Sequence, residues 1–110
     1  MHIIMNLSVW ISYNLGIKGD FSGLYQWLDA HNGIECGNNT AFIKYEYQKD
    51  FLSELKSDLE KSVDIKGADR IYIIYYDVEK KQTVGKFLIG NRKAAPWIGY
   101  APSKEMVDDI

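Results

Sequence analysis

Two histidines and one cysteine are the chain's whole supply of imidazole and thiol. His31 and Cys36 stand close in sequence, and a nucleophilic Cys–His pair would need them in contact, with a third residue orienting the ring. Each also has a plainer role. His31 falls where a helix should close, and a protonated imidazole suits the negative end of the helix dipole. Cys36 falls in a short hairpin strand and is expected to be a small buried hydrophobe. A single cysteine allows no internal disulfide and no all-cysteine zinc site. His2 belongs to a terminus expected to fray. The richest stretch for recognition runs from Gly85 to Tyr100. Lys86, Arg92 and Lys93 form a basic cluster with no acid nearby in sequence, and Trp97 and Tyr100 add two large aromatics. Cations of this kind contact phosphates or carboxylates, while such rings stack on a base or fill a partner's pocket. These five are the candidate binding residues. The competing role is structural, with Trp97 and Tyr100 pinning the C-terminal segment to the domain or across a dimer. Gly85, Lys86 and Gly90 lack the spacing and the following helix of a phosphate-cradling loop.

The elements that must position these residues follow from periodicity. Leu7 to Tyr13 alternates Val9, Ile11 and Tyr13 with Ser8, Trp10 and Ser12, which predicts a strand. A glycine-containing loop leads to Asp20, a good N-cap, and Phe21, Leu24, Tyr25 and Leu28 then predict a buried helical stripe. That helix should end at His31-Asn32-Gly33, with the glycine left-handed. Ile34 to Cys36, a turn at Gly37 to Asn39, and Thr40 to Tyr47 read as a hairpin. Asp50 is the next N-cap, and Phe51, Leu52, Leu55, Leu59 and Val63 give a second amphipathic helix with Glu54, Asp58 and Glu60 toward solvent. Arg70 to Asp77 is β-branched or aromatic nearly throughout, as in a strand covered on both sides. Val84 to Ile89 is a further strand, and Pro96 excludes a central strand beyond it.

This order is βαββαβ followed by an extra C-terminal β element. It predicts an α+β, ferredoxin-like fold, with two helices on one face of an antiparallel sheet. The other sheet face needs cover, since Tyr72, Ile74 and Tyr76, or their alternates, would otherwise form an apolar patch in water. A homodimer through that face is the simplest remedy, and the extra strand is placed to pair with a partner's sheet edge.

Size and charge are consistent with this picture. A chain of 110 residues, 46% hydrophobic and 25% charged, suits one globular domain, taken as 1–102, followed by a short acidic tail at 103–110. The net charge of −2 argues against a strongly basic nucleic-acid binder. The apolar runs are far too short for a membrane span, and the start lacks the pattern of a secretory signal. A cytoplasmic protein with no membrane partner is expected, and Met5 is an alternative start to Met1.

The layout resembles the small CRISPR-associated adaptation endonucleases and the VapD-type ribonuclease toxins, which share a ferredoxin-like dimer. The likeness covers residues 7 to 90. It rests on the first strand ending in Ser12-Tyr13-Asn14-Leu15, where relatives often carry a Tyr-Asp pair, on the helix and hairpin lengths, and on the added strand. In the nuclease members, an aspartate at the end of that strand binds a divalent metal across the dimer axis. Here Asn14 holds the matching position, and an amide is a poorer magnesium ligand than a carboxylate. Asp20 is the substitute carboxylate under a nuclease reading. The leading expectation is a non-catalytic dimeric binding module without a cofactor, from a mobile-element, defence or counter-defence system, with a protein or nucleic acid as further partner. One alternative is a magnesium-dependent nuclease of the resembled family. Another is an immunity or antitoxin-like inhibitor, using the acids around Glu54, Asp58 and Glu60 against a basic protein.

Overall fold

Alternating side chains give each long strand one apolar face, and the first strand collects two neighbours on it. The computed structural model describes residues 3–102, so the acidic tail and His2 lie outside the described residues. Five strands, β1 (Met5–Asn14), β2 (Ile34–Glu35), β3 (Thr40–Tyr47), β4 (Arg70–Asp77) and β5 (Gln82–Ile89), form one antiparallel sheet in the order β2-β3-β1-β4-β5. Helices α1 (Phe21–Ala30) and α2 (Phe51–Ser62) cover one side of it. This is the ferredoxin-like arrangement with an added strand, β5, at the edge beside β4.

The covered face carries Val9, Ile11 and Tyr13 from β1, Ala41, Ile43 and Tyr45 from β3, and Ile71, Ile73 and Tyr75 from β4, all buried. Leu24, Leu55 and Leu59, each 0% exposed, fill the space between sheet and helices. Each such leucine contributes about 1.5–3 kcal/mol by leaving water.

Side chains set the ends of both helices. Asp20 accepts the Gly23 amide (2.9 Å) and reaches the Asp64 amide (2.9 Å), so it caps α1 and also holds the segment leaving α2. Asp50 accepts the Ser53 amide at 3.0 Å and caps α2. Glu54 turns back from the first turn of α2 to accept the amides of Gln48, Lys49 and Asp50 at 2.7–2.9 Å. At the end of α1 the Asn32 amide donates to Asp29 O (3.0 Å) and the Gly33 amide to Leu28 O (2.8 Å), the paired bonds of a Schellman motif. Asn32 takes the left-handed conformation (φ 56°), where the sequence placed Gly33. Asparagine tolerates this region better than most residues, so the stop falls one position early.

Three other expectations are corrected. The buried stripe of α1 is Leu24, Trp27 and Leu28, while Phe21 and Tyr25 are 38% and 51% exposed. The helix is rotated so that Trp27 faces α2, where its indole donates to Asp58 Oδ2 at 3.3 Å. Within one chain β4 is covered on one side only, because both helices lie on the same face. Cys36 is exposed, since it lies just beyond β2, a two-residue strand at the sheet edge.

Candidate binding face

Among the described residues the sheet side away from the helices is open, and the register sorts its side chains into rows. One row crosses all five strands: Ile34 lies opposite Phe42, Phe42 opposite Trp10, Trp10 opposite Ile74, and Ile74 opposite Gly85. Every member is apolar. Trp10 and Phe42 lie with ring centroids 4.9 Å apart, and Ile34, Trp10 and Ile74 are 58%, 44% and 39% exposed. Tyr76, on the same side of β4, is 47% exposed. Gly85 completes the row because Tyr72 lies across it, and a Cβ there would collide with the tyrosine hydroxyl.

Beside the apolar row the chemistry changes. Ser12 lies opposite Tyr72, and Tyr72 opposite Phe87, with the two rings edge to face at 4.8 Å. Asn14 then lies opposite Arg70 at the ends of β1 and β4. The Arg70 guanidinium sits 5.6 Å from the centre of Phe87. Gly90 (φ 82°) turns the chain after β5, at a place where a Cβ would come within 2.8 Å of Asp69 O and Arg70 Cγ. That turn brings Arg92 back over the sheet, 5.2 Å from the centre of Phe87 and 5.5 Å from that of Tyr72. Ser12, Asn14, Arg70, Tyr72, Phe87 and Arg92 line an open pocket of about 360 Å³.

The residues expected to bind are therefore split between places. Lys86 pairs opposite the buried Ile73 and so projects on the helix side of the sheet, near enough to Asp50 to help hold that carboxyl below its usual range, after the larger effect of the Ser53 bonds. Arg92 alone of the basic cluster lies over the open face, while Lys93 is exposed in the following segment. Trp97 and Tyr100 are 72% and 86% exposed, so neither pins the C-terminal segment to this chain's core. That segment is shaped by short turns, with Ile98 N to Ala95 O at 3.3 Å and Tyr100 N to Trp97 O at 3.0 Å. Sequence reasoning left Trp10, Phe42, Arg70 and Phe87 out of the site. The alternation of β1 and β4 could have found Trp10 and Arg70, whereas the return of Arg92 onto Phe87 has no signal in the sequence.

Among the described residues of one chain, the magnesium expected under a nuclease reading finds no suitable set of donors. Asn14 lies across from a guanidinium, which disfavours a cation there. Both carboxylate oxygens of Asp20 accept backbone amides, and these bonds hold its carboxyl below the usual range. Among the described residues no three His, Cys, Asp or Glu side chains gather into a metal cage. Two of the three acids assigned to an inhibitory surface are engaged, Glu54 on three amides and Asp58 between the helices, while Glu60 is exposed.

His31 and Cys36 have separate partners. Cys36 Sγ approaches Ile34 O at 3.5 Å. His31 stacks on Trp27 with centroids 4.2 Å apart, its Nδ1 lying 2.8 Å from Trp27 O and its Nε2 3.3 Å from Asp58 Oδ2. The ring donates to both oxygens only as the imidazolium. Tyr45 also donates to Asp58 Oδ2, at 3.2 Å. Burial first, and then the Asp58 charge, push the Tyr45 hydroxyl well above the ordinary tyrosine range, so it stays a donor. This cluster joins α1, α2 and β3. No protein-family model matches the sequence, and no curated protein and no solved structure matches it.

Proposed function

We propose that this chain is a binding module that works as a homodimer joined across the open sheet face, without reaction chemistry of its own. The observation that carries this reading is the apolar row Ile34–Phe42–Trp10–Ile74, which is continuous across the sheet and lies in water in a single chain. A two-fold pairing lays one such row on its copy and removes both from solvent together. Trp10 has the size and central position of an interface anchor. Trp97 and Tyr100, exposed on the C-terminal segment, supply further anchors at the rim. The side chains nearest the Asn14 position favour holding an anion over holding a divalent metal, which supports binding in preference to hydrolysis.

Two assays test the reading. Sedimentation equilibrium at micromolar concentration is expected to give the mass of two chains, and a clean monomer would contradict the dimer. RNA and DNA incubated with the protein in magnesium or EDTA are expected to stay intact. Cleavage that requires magnesium and disappears in Asp20→Ala would establish the nuclease reading instead.

A further inference from the structure

We propose that the open corner lined by Ser12, Asn14, Arg70, Tyr72, Phe87 and Arg92 is a binding site for a nucleoside monophosphate. The inference rests on the binding-module reading only in taking the open face as the working surface; it does not require a dimer. Its foundation is an electrostatic imbalance. Two guanidiniums approach one ring, at 5.6 and 5.2 Å from the centre of Phe87, and among the described residues neither pairs with a carboxylate. Two cations gathered on one ring raise the positive potential at this corner, and an anion placed there is attracted to both. Among the described residues Arg70 makes one hydrogen bond, a long one from Nη1 to Asn91 O at 3.5 Å.

The size of the charge selects the anion. A phosphate monoester carries close to two negative charges at neutral pH, matching the two arginines, whereas a single carboxylate supplies one. The surrounding side chains select what the phosphate is attached to. Arg92 lies over Tyr72 and Phe87, and a planar ring stacks on the outer side of such a guanidinium as readily as on an aromatic ring. The Asn14 amide and Ser12 hydroxyl provide both donors and acceptors for a sugar or the edge of a base. The pocket, about 360 Å³, is of the size that holds a small ligand. Asn14 is also the residue type such a site needs, because a carboxylate there would pair with Arg70 and repel the phosphate.

Calorimetric titration of the whole chain with each of the four common ribonucleoside 5′-monophosphates, with adenosine, and with inorganic phosphate tests the proposal. At least one monophosphate is expected to bind saturably and about tenfold or more tightly than adenosine or phosphate alone. Raising the salt should weaken it. Arg92→Met and, separately, Asn14→Asp should each weaken it about tenfold or more while the circular dichroism spectrum is unchanged; Arg92 is in an exposed segment, so its replacement leaves the core intact. No saturation with any monophosphate at 10-millimolar order concentrations, binding unchanged in Arg92→Met, or adenosine binding as tightly as its monophosphate would overturn the site. Sedimentation of the same samples separates the two readings. A dimer that binds no nucleotide removes this site and leaves the interface, whereas a monomer that binds nucleotide removes the interface and leaves the site.

Discussion

Single carboxylates hold this fold's loops by accepting backbone amides, and each makes a measurable claim. Asp69 is 1% exposed, with one oxygen on the Gly16 amide (2.9 Å) and the other on the Lys66 amide (2.7 Å), so it ties the loop after β1 to the loop before β4. Asp69→Ala leaves both donors without partners and should destabilise the chain by about 2–4 kcal/mol in urea denaturation. Asp20, Asp50 and Glu54 have carboxyls held below their ordinary range, chiefly by backbone amides at Asp20 and Glu54 and by Ser53 at Asp50. Because their folded pKa values lie below the unfolded ones, their stabilisation is complete above about pH 4–5. It is lost as the pH falls through the depressed values. The denaturation midpoint should therefore drop on acidification below about pH 4, and Glu54→Gln should reduce the size of that drop. The caps at Asp20 and Asp50 were legible in the sequence because a cap is a local arrangement. Asp69 was not, since Gly16 is 53 residues away and only the assembled sheet brings the two together.

At the scale of elements, strand and helix positions followed from period, while the faces they present depended on their neighbours. β3 and β4 have the bounds that alternation predicts, while β1 is extended by Met5, Asn6 and Asn14 and β5 by Gln82 and Thr83, mostly polar residues that apolar alternation does not mark. In α1, Phe21, Leu24, Tyr25 and Leu28 make a proper stripe, yet Trp27 displaced Phe21 and Tyr25 from the core. Its indole finds Asp58 on α2, and no periodicity within α1 registers a partner on another helix. Leu55→Ala should thus cost about 2–5 kcal/mol, because the side chain is fully enclosed. Phe21→Ala, at a ring 38% exposed, should cost clearly less, and thermal melts of the two variants side by side check the order. The open face shows the same division. Tyr72, Ile74 and Tyr76 were legible as one side of β4, but the corner at Phe87 depends on the Gly90 turn and on Arg92 returning across the sheet.

For the whole molecule the decisive feature is a sheet with helices on one side and an apolar row on the other. A single chain leaves that row in water, and a second copy is the proposed cover. Trp97→Ala separates folding from assembly. The ring is 72% exposed, so its loss should change the stability of the single chain by no more than about 0.5 kcal/mol. As a rim anchor, it should nevertheless weaken the dimer by about tenfold, read as a shift in the concentration at which the chains associate. The most direct measurement is sedimentation velocity of the native chain beside Ile74→Lys. Ile74 lies beside Trp10 in the row and is 39% exposed, so a lysine there is tolerated by the fold but places a charge within the two-fold interface. The native chain should sediment as a dimer at micromolar concentration and Ile74→Lys as a folded monomer. A native monomer, or an Ile74→Lys dimer as tight as the native one, would contradict the account.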